Sequence, residues 1–334
     1  MLDLSKVKAS SSPHIRSDES VRQIMLDVVI ALLPALVVSI FVFGWRALVL
    51  TLVSVCSCIF FEWVFNAVMH RPNTTGDCSA IVSGVLLAFN VPVTAPLWIV
   101  FVGAAFAMVL VKGLFGGIGK NFMNPVLAAR AFLFSWPIIM TSWVKIRTAL
   151  PLFATPVDVV TSATPLAALK ASTLPDYSLL EMALGMHGGS LGETSALALL
   201  AGGLYLLYRR VISLHIPVAY LGTVAVITFL FPRGGLPAGE FMLAHLLSGG
   251  LMLGAIFMAT DYATTPLTRK GQIIFGIGCG ALTVFIRYFG SYPEGVSYSI
   301  LLMNACVPLI ERVTEPKSLG VVKEKKAKKE AEVK

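Results

Sequence analysis

The chain has 334 residues, 56% of them hydrophobic and 13% charged, with a mean hydropathy of +0.81. Soluble domains carry about a quarter charged residues, so this composition excludes a water-surrounded globule and turns most of the surface toward lipid. The net charge of +8 does not indicate nucleic acid, because six of the 26 Lys and Arg fall in the terminal "KEKKAKKEAEVK", interleaved with Glu. That pattern reads as a solvated tail near anionic lipid heads.

In chain order, residues 1–23 form a polar N-terminal segment with Lys6, Lys8, Arg16 and Arg22. Apolar segments follow at 24–43, 46–66, 79–90, 96–112 and 123–140 and make a first membrane half spanning 24–140. Most approach the ~20 residues that cross a bilayer. The third is short, and Pro92 and Pro96 prevent its helix from continuing. The first is no cleavable signal, since Trp45 and Arg46 follow where small residues would be needed. A polar stretch occupies 141–194. A second half, 195–311, holds segments at 195–212, 214–231, 242–260, 272–290 and 296–311, and 312–334 is a basic tail.

Ten crossings put the N-terminus, Arg71, Lys112, Lys120, Arg209, Arg210, Arg269, Lys270 and the tail on one side. Basic residues mark the cytoplasmic side, so both termini are expected there and 141–194 outside. The opposite side receives Arg46, Lys145, Arg147, Lys170 and Arg233. The halves also echo each other. "SGVLLAFN" from Ser83 is similar to "SGGLMLGA" from Ser248, and "NFMNPVLAARAF" from Asn121 to "LLMNACVPLIER" from Leu301. The reading is an all-α polytopic membrane protein. It has about ten transmembrane helices in two inverted five-helix repeats, with broken half-helices meeting near the midplane.

One polar stretch stands out: "VDVVTSATPLAALKAS", Val157 to Ser172. Its plain reading is a helix start, with Thr164 as N-cap and Pro165 at the first helical position. The other is a covalent attachment point with Thr164 as acceptor hydroxyl. "GGSLGETSALALL" carries Ser190 and Glu193 in the spacing of a capping box for the sixth segment. Asp27 and Glu62 lie near segment ends, where a helix terminus or snorkelling satisfies them. Asp261 ends a broken helix. Asn121 and Asn124 are three apart and Phe257 lies four before Asp261, spacings that share a helix face. His245, deep in a span, reads as a packing residue. The five cysteines make no CxxC and no framework, so they read as small buried residues.

Five motifs in order, "SSPHIRSDESVRQIM", "FMNPVLAARAF", "DVVTSATPLAALK", "GGSLGETSALALLAGGLYLL" and "ATDYATTPLTRKGQ", resemble the D subunits of Rnf complexes and their relatives in sodium-pumping quinone reductases. The resemblance covers residues 11–315. It implies a flavoprotein subunit of a multi-subunit redox-driven Na⁺ or H⁺ pump acting between ferredoxin and NAD⁺. Such a subunit is a membrane electron carrier within a translocase, without a complete reaction of its own. It sits in a bacterial or archaeal cytoplasmic membrane, beside lipid and the other subunits.

The resemblance also implies FMN joined to Thr164 by a phosphoester on the extracytoplasmic side. A flavin transferase installs it, with Thr161 and Ser162 as flanking recognition positions and Asp158, six residues ahead of the acceptor, counted with them at the flavin site; Ser162 stands where the family usually has Gly. It further implies a non-covalent riboflavin near Asn121, Asn124, Phe257 and Asp261. The competing function is a channel or small-solute transporter with the same repeats and no redox group. A third is a structural scaffold, in which "TSATP" is an ordinary helix cap.

Overall fold

The computed structural model describes residues 19–144, 151–152, 164–193 and 195–316. Regular structure among them is helical throughout. α1 (Val21–Phe43) starts at a complete capping box, Ser20 with Gln23, and joins α2 (Trp45–Val68) through Gly44 alone. That single-residue corner needs φ +79°, which glycine tolerates. α3 (Ser79–Phe89) stops short of the prolines. α4 (Leu97–Gly113) ends as a π-helix from Phe106. α5 (Pro125–Leu133) is a half-helix, separated from α6 (Pro137–Met140) by a break before Pro137. Two short helices follow, α7 (Pro165–Lys170) and α8 (Leu179–Leu184).

The second half comprises α9 (Ala196–Tyr208), α10 (His215–Leu230), α11 (Ala238–Leu247) and α12 (Leu251–Met258). α13 (Arg269–Phe289) and α14 (Val296–Thr314) complete it. α11 and α12 meet at a 64° bend, and α12 turns into a π-helix from Gly254.

Helices occupy all ten apolar segments. Among the described residues, though, only α1, α2, α13 and α14 have the length and apolarity of a full span, and the bent α11–α12 pair makes a fifth. The others are shorter because prolines and polar corners interrupt them. The halves pack in the same order: α2 on α3 and α4, α10 on α11 and α13, with α1 against α9 and α5 against α14 joining them. Small residues permit the closest approaches. A Cβ on Gly84 would lie 2.5 Å from Val55 Cα, and one on Gly202 2.0 Å from the Ala31 carbonyl oxygen.

The non-helical residues Asn90–Ala95 are buried, so their backbone needs partners from the protein. Arg46, beside the α1–α2 corner, is 1% exposed. Its Nε donates to Val93 O at 2.7 Å and an NH2 to Ala95 O at 3.0 Å, while NH1 donates to Pro151 O. Leu191 N donates to Val91 O at 3.3 Å and Gly192 N to Phe89 O at 3.0 Å.

Asp27 and Glu62 also depart from expectation. Rather than snorkelling, Asp27 accepts from Tyr205 Oη at 2.8 Å and Arg209 Nε at 3.1 Å. Glu62 pairs with Lys112 Nζ at 2.7 Å. Each carboxylate faces a cation on a packed neighbour, although Glu62 Oε2 is left without a partner. All five cysteines are unpaired.

Candidate functional site

Two clefts lie at opposite ends of the half-helices α3 and α5. Ser79, Ser83, Asn124 and Val126, near the helix starts, line the first. Phe134, just past α5, lines the second, and Asn90, just past α3, lies behind it as a partner of Arg130. At 1.5 Å per residue the helices separate the clefts by roughly 15 Å.

The first cleft, about 120 Å³, brings together all four residues expected there: Asn121, Asn124, Phe257 and Asp261. They do not meet as helix-face pairs. Pro125 begins α5, so Asn121 precedes the helix and Asn124 is its N-cap. Asn124 Oδ1 accepts from Val126 N at 3.0 Å and Leu127 N at 3.3 Å. Asp261 lies beyond the end of α12, where its carboxylate accepts from Thr264 Oγ1 at 3.2 Å.

Asn124 Nδ2 donates to Met258 O at 3.3 Å, which stitches the two broken helices together. With the Asn304 amide oriented as its neighbours require, Asn304 Oδ1 accepts from Asn124 N at 3.2 Å. These two asparagines are the matching positions of the two sequence halves, and they meet at the junction of α5 and α14. Asn121 Oδ1 is buried and has no protein partner. A buried acceptor in that state calls for a donor from a ligand or solvent.

The second cleft, about 50 Å³, is lined by Thr164, His187, Glu193, Tyr292 and Glu294, with Phe134 and Trp143 as aromatic walls. Thr164 is the N-cap of α7: its Oγ1 accepts from Ala167 N at 3.3 Å, and Pro165 follows as the first helical residue. The helix-start reading therefore holds, and the same hydroxyl lines a cleft. Asp158, Thr161 and Ser162 lie outside the described residues.

His187 is 1% exposed. Its Nδ1 lies 3.2 Å from the Gly188 carbonyl, which can only accept, so Nδ1 carries the proton. Burial holds the ring below its ordinary pKa, so Nε2 is a bare acceptor, and it has no partner.

Arg130, Glu294, His187 and the true role of Glu193 escaped the sequence reading. Arg130, on α5 and 2% exposed, donates from NH1 to Asn90 Oδ1 at 2.6 Å and from NH2 to Glu193 Oε1 at 3.2 Å and to Glu294 Oε2. An arginine inside "NPVLAARAF" was a visible signal, since intramembrane charges require partners. Glu294, in the short connection after α13, and His187 look ordinary in sequence.

Glu193 was assigned to a capping box that is only half formed. Glu193 Oε2 accepts from Ser190 N at 3.3 Å, but Ser190 Oγ has no partner, and the N-cap of α9 is Ser195. Arg130 draws the other carboxylate oxygen inward, away from the helix end. Burial raises the Glu294 carboxyl to about 7, with Glu193 adding to the rise and Arg130 opposing it. Burial works against Glu193 too, but Arg130 and Ser190 hold it below the ordinary range.

The polar groups of both clefts are of the kind a flavin requires. A buried ring edge needs polar partners, which the unsatisfied Asn121 oxygen and the Asn124 amide offer. An ester needs an accessible hydroxyl, and Thr164 is half-buried with one long hydrogen bond.

A helical, multi-pass membrane protein with polar clefts closed by broken helices is the class this architecture defines. The chain belongs to the NQR2, RnfD, RnfE family, which matches residues 8–320. It is 53% identical over 324 residues to the D subunit of the Na(+)-translocating ferredoxin:NAD(+) oxidoreductase complex of Acetobacterium woodii, covering 96% of this chain and 97% of that one. The D subunit of the proton-translocating ferredoxin:NAD(+) oxidoreductase complex of Clostridium ljungdahlii is 45% identical, over 93% and 95% of the two chains. The D subunit of the ion-translocating oxidoreductase complex of Stutzerimonas stutzeri is 41% identical, over 90% and 92%.

Proposed function

We propose that this chain is the flavin-carrying membrane subunit of a redox-driven ion pump that couples electron transfer between ferredoxin and NAD⁺ to Na⁺ or H⁺ translocation. The observation that carries this reading is near full-length identity of 53% to a subunit of such a complex. The named relatives move different ions, Na⁺ in one and protons in another, so the proposal covers both. The partners are the other subunits of the complex, membrane lipid and a flavin transferase.

FMN is attached to Thr164 through a phosphoester, and a second flavin, riboflavin, is held non-covalently at the Asn121–Asn124–Asp261 cleft. When bound, the flavins supply the one- and two-electron chemistry. This chain's residues do the rest. Thr164 anchors the phosphate end at the edge of the cleft, where α7 begins. Phe134, Trp143 and Tyr292 wall the cleft against water, and Asn121 and Asn124 offer hydrogen bonds to a ring edge.

The attachment is tested in a denaturing gel under ultraviolet light, using the complex from its native host. The band should fluoresce, and Thr164→Val should abolish the signal. Fluorescence that survives this change, or peptide mapping to Ser162 or Thr161, rejects the assignment. Sidedness is tested with an impermeant thiol reagent in intact cells. A cysteine replacing Ser172 should be labelled and one replacing Ala327 should not; the reverse places Thr164 in the cytoplasm.

A further inference from the structure

Arg130 faces two carboxylates. One guanidinium bonds both, so Arg130, Glu193 and Glu294 sum to one negative charge when both acids are ionised, which nearby Arg287 offsets only through space, without a bond to either. Both acids are well shielded, 7% and 12% exposed, where such a charge is unfavourable. Gly250 closes the cluster. Its N donates to Glu294 Oε1 at 3.2 Å, and a Cβ there would lie 2.6 Å from that oxygen, 3.4 Å from Glu193 Oε1 and 3.6 Å from Arg130 NH1.

Other charged and titratable groups are disposed around the pair. From α13, Arg287 is turned to His245 O at 2.6 Å and Ser248 O at 3.1 Å. From α7, Lys170 donates to the carbonyls of Gly290 and Ser291 in the connection that carries Glu294. Tyr292 and Tyr298 lie beside Glu294, and His187 beside Glu193. Arg130 is the only one of these cations that bonds either carboxylate. Both acids line the cleft that Thr164 opens into.

We propose that Glu193 and Glu294 form a one-proton site facing Thr164, which binds a proton when an electron enters the flavin attached there. The site rests on that flavin assignment. The balance is simple. One electron arrives from the redox route of the complex, one proton arrives from water at the cleft, and a carboxylate of the pair becomes a carboxylic acid that keeps its bond to Arg130. The negative charge added to the cleft is matched, and no bond to the flavin forms or breaks. The pair titrates as a unit, with Glu294 the member whose burial favours the acid form and Glu193 the one that Arg130 and Ser190 keep ionised.

Two measurements on the intact complex decide it. The first is independent of flavin. In the Thr164→Val complex, infrared difference spectra across a pH titration should show a carboxylic-acid band that disappears near neutrality and is absent in Glu294→Gln. No such band in the parent overturns the site. A band that shifts with Na⁺ concentration at fixed pH also overturns it, because the ligand is then a metal cation.

The second uses the flavin-loaded complex. In the parent, the reduction equilibrium of the Thr164 flavin should change tenfold per pH unit above the titration of the pair, or 59 mV for one electron. In Glu294→Gln the fluorescent band should persist while that dependence is lost. An unchanged dependence in Glu294→Gln and in Glu193→Gln, with flavin attached, overturns the coupling. Absence of flavin on Thr164 in the parent refutes the flavin reading instead, and the infrared titration still decides the proton site.

Discussion

The two clefts sit at opposite ends of the same half-helices, yet they are held together by different means. The asparagine cleft is stitched by neutral groups. The Asn124 side chain caps α5 and reaches Met258, while Asn304 receives the Asn124 N–H. The Thr164 cleft is organised by charge, with Arg130 gripping two acids from separate connections. Neutral stitching fixes broken backbone at modest expense and is insensitive to pH. Ionic organisation is stronger and responds to protons. The bonds that hold the first cleft together therefore keep one state as pH changes, although Asp261 and Lys112 also line it, whereas those that hold the second change charge.

The largest way to break this contrast is Thr164→Val, with complete loss of covalent flavin fluorescence. Thr164→Ser, which retains a hydroxyl on a less constrained side chain, should load partially.

Next is Arg130→Met. It leaves two buried acids without their cation and should destabilise the protein by about 3–5 kcal/mol, read as lost assembly or a large fall in melting temperature. The triple variant Arg130→Met, Glu193→Gln, Glu294→Gln removes every charge of the cluster and should recover much of that loss. If Arg130→Met is neutral, the second cleft is not organised by charge.

Third is the pH dependence of stability. Glu294 holds its proton more tightly in the folded chain, at about 7 against an ordinary 4.5. Its contribution is therefore complete below about pH 4.5 and is lost as pH rises through about 7. Glu294→Gln should lack this loss and gain on the parent by about 3 kcal/mol at most above neutrality. Melting temperatures in detergent across that range measure it, and parallel curves would refute it.

The smallest effect belongs to the asparagine cleft. Asn124→Leu removes an N-cap and the bond to Met258, for about 1–2 kcal/mol. The loss should be the same at pH 5 and pH 8, and a pH-dependent loss would erase the distinction between the clefts.

The clefts also differed in how readable they were. The asparagine cleft was legible because each residue carries a local signal: Asn before Pro, an acid after an apolar run, and the same pattern repeated in the second half. What spacing misjudged was the means, since the prolines and breaks replace the assumed helix faces with caps and loop ends. Thr164 was legible from a motif and from its Thr-Pro helix start. The charged cluster beside it was not. Glu193 and Glu294 stand 63 and 164 positions beyond Arg130 along the chain, and only packing brings them together. Glu193 was misread because Ser-x-x-Glu fits a capping box, and nothing local reveals that a distant guanidinium competes for its carboxylate. The helices themselves were largely written in hydropathy, their ends adjusted by Ser20 and the prolines.

Arg46 has a consequence for how the protein is made. Its carbonyl partners at Val93 and Pro151 lie 47 and 105 residues further along the chain. At about 5–20 residues per second of synthesis, they emerge seconds after α2 itself. Until then those carbonyls are not there to hold the guanidinium. The α1–α2 hairpin can insert early but cannot settle into its final depth before the Pro92–Pro96 corner is threaded beside it. A nascent chain stalled after α2 should therefore present Arg46 to water-borne proteases, and one long enough for residue 152 to have left the ribosome and reached the membrane should not.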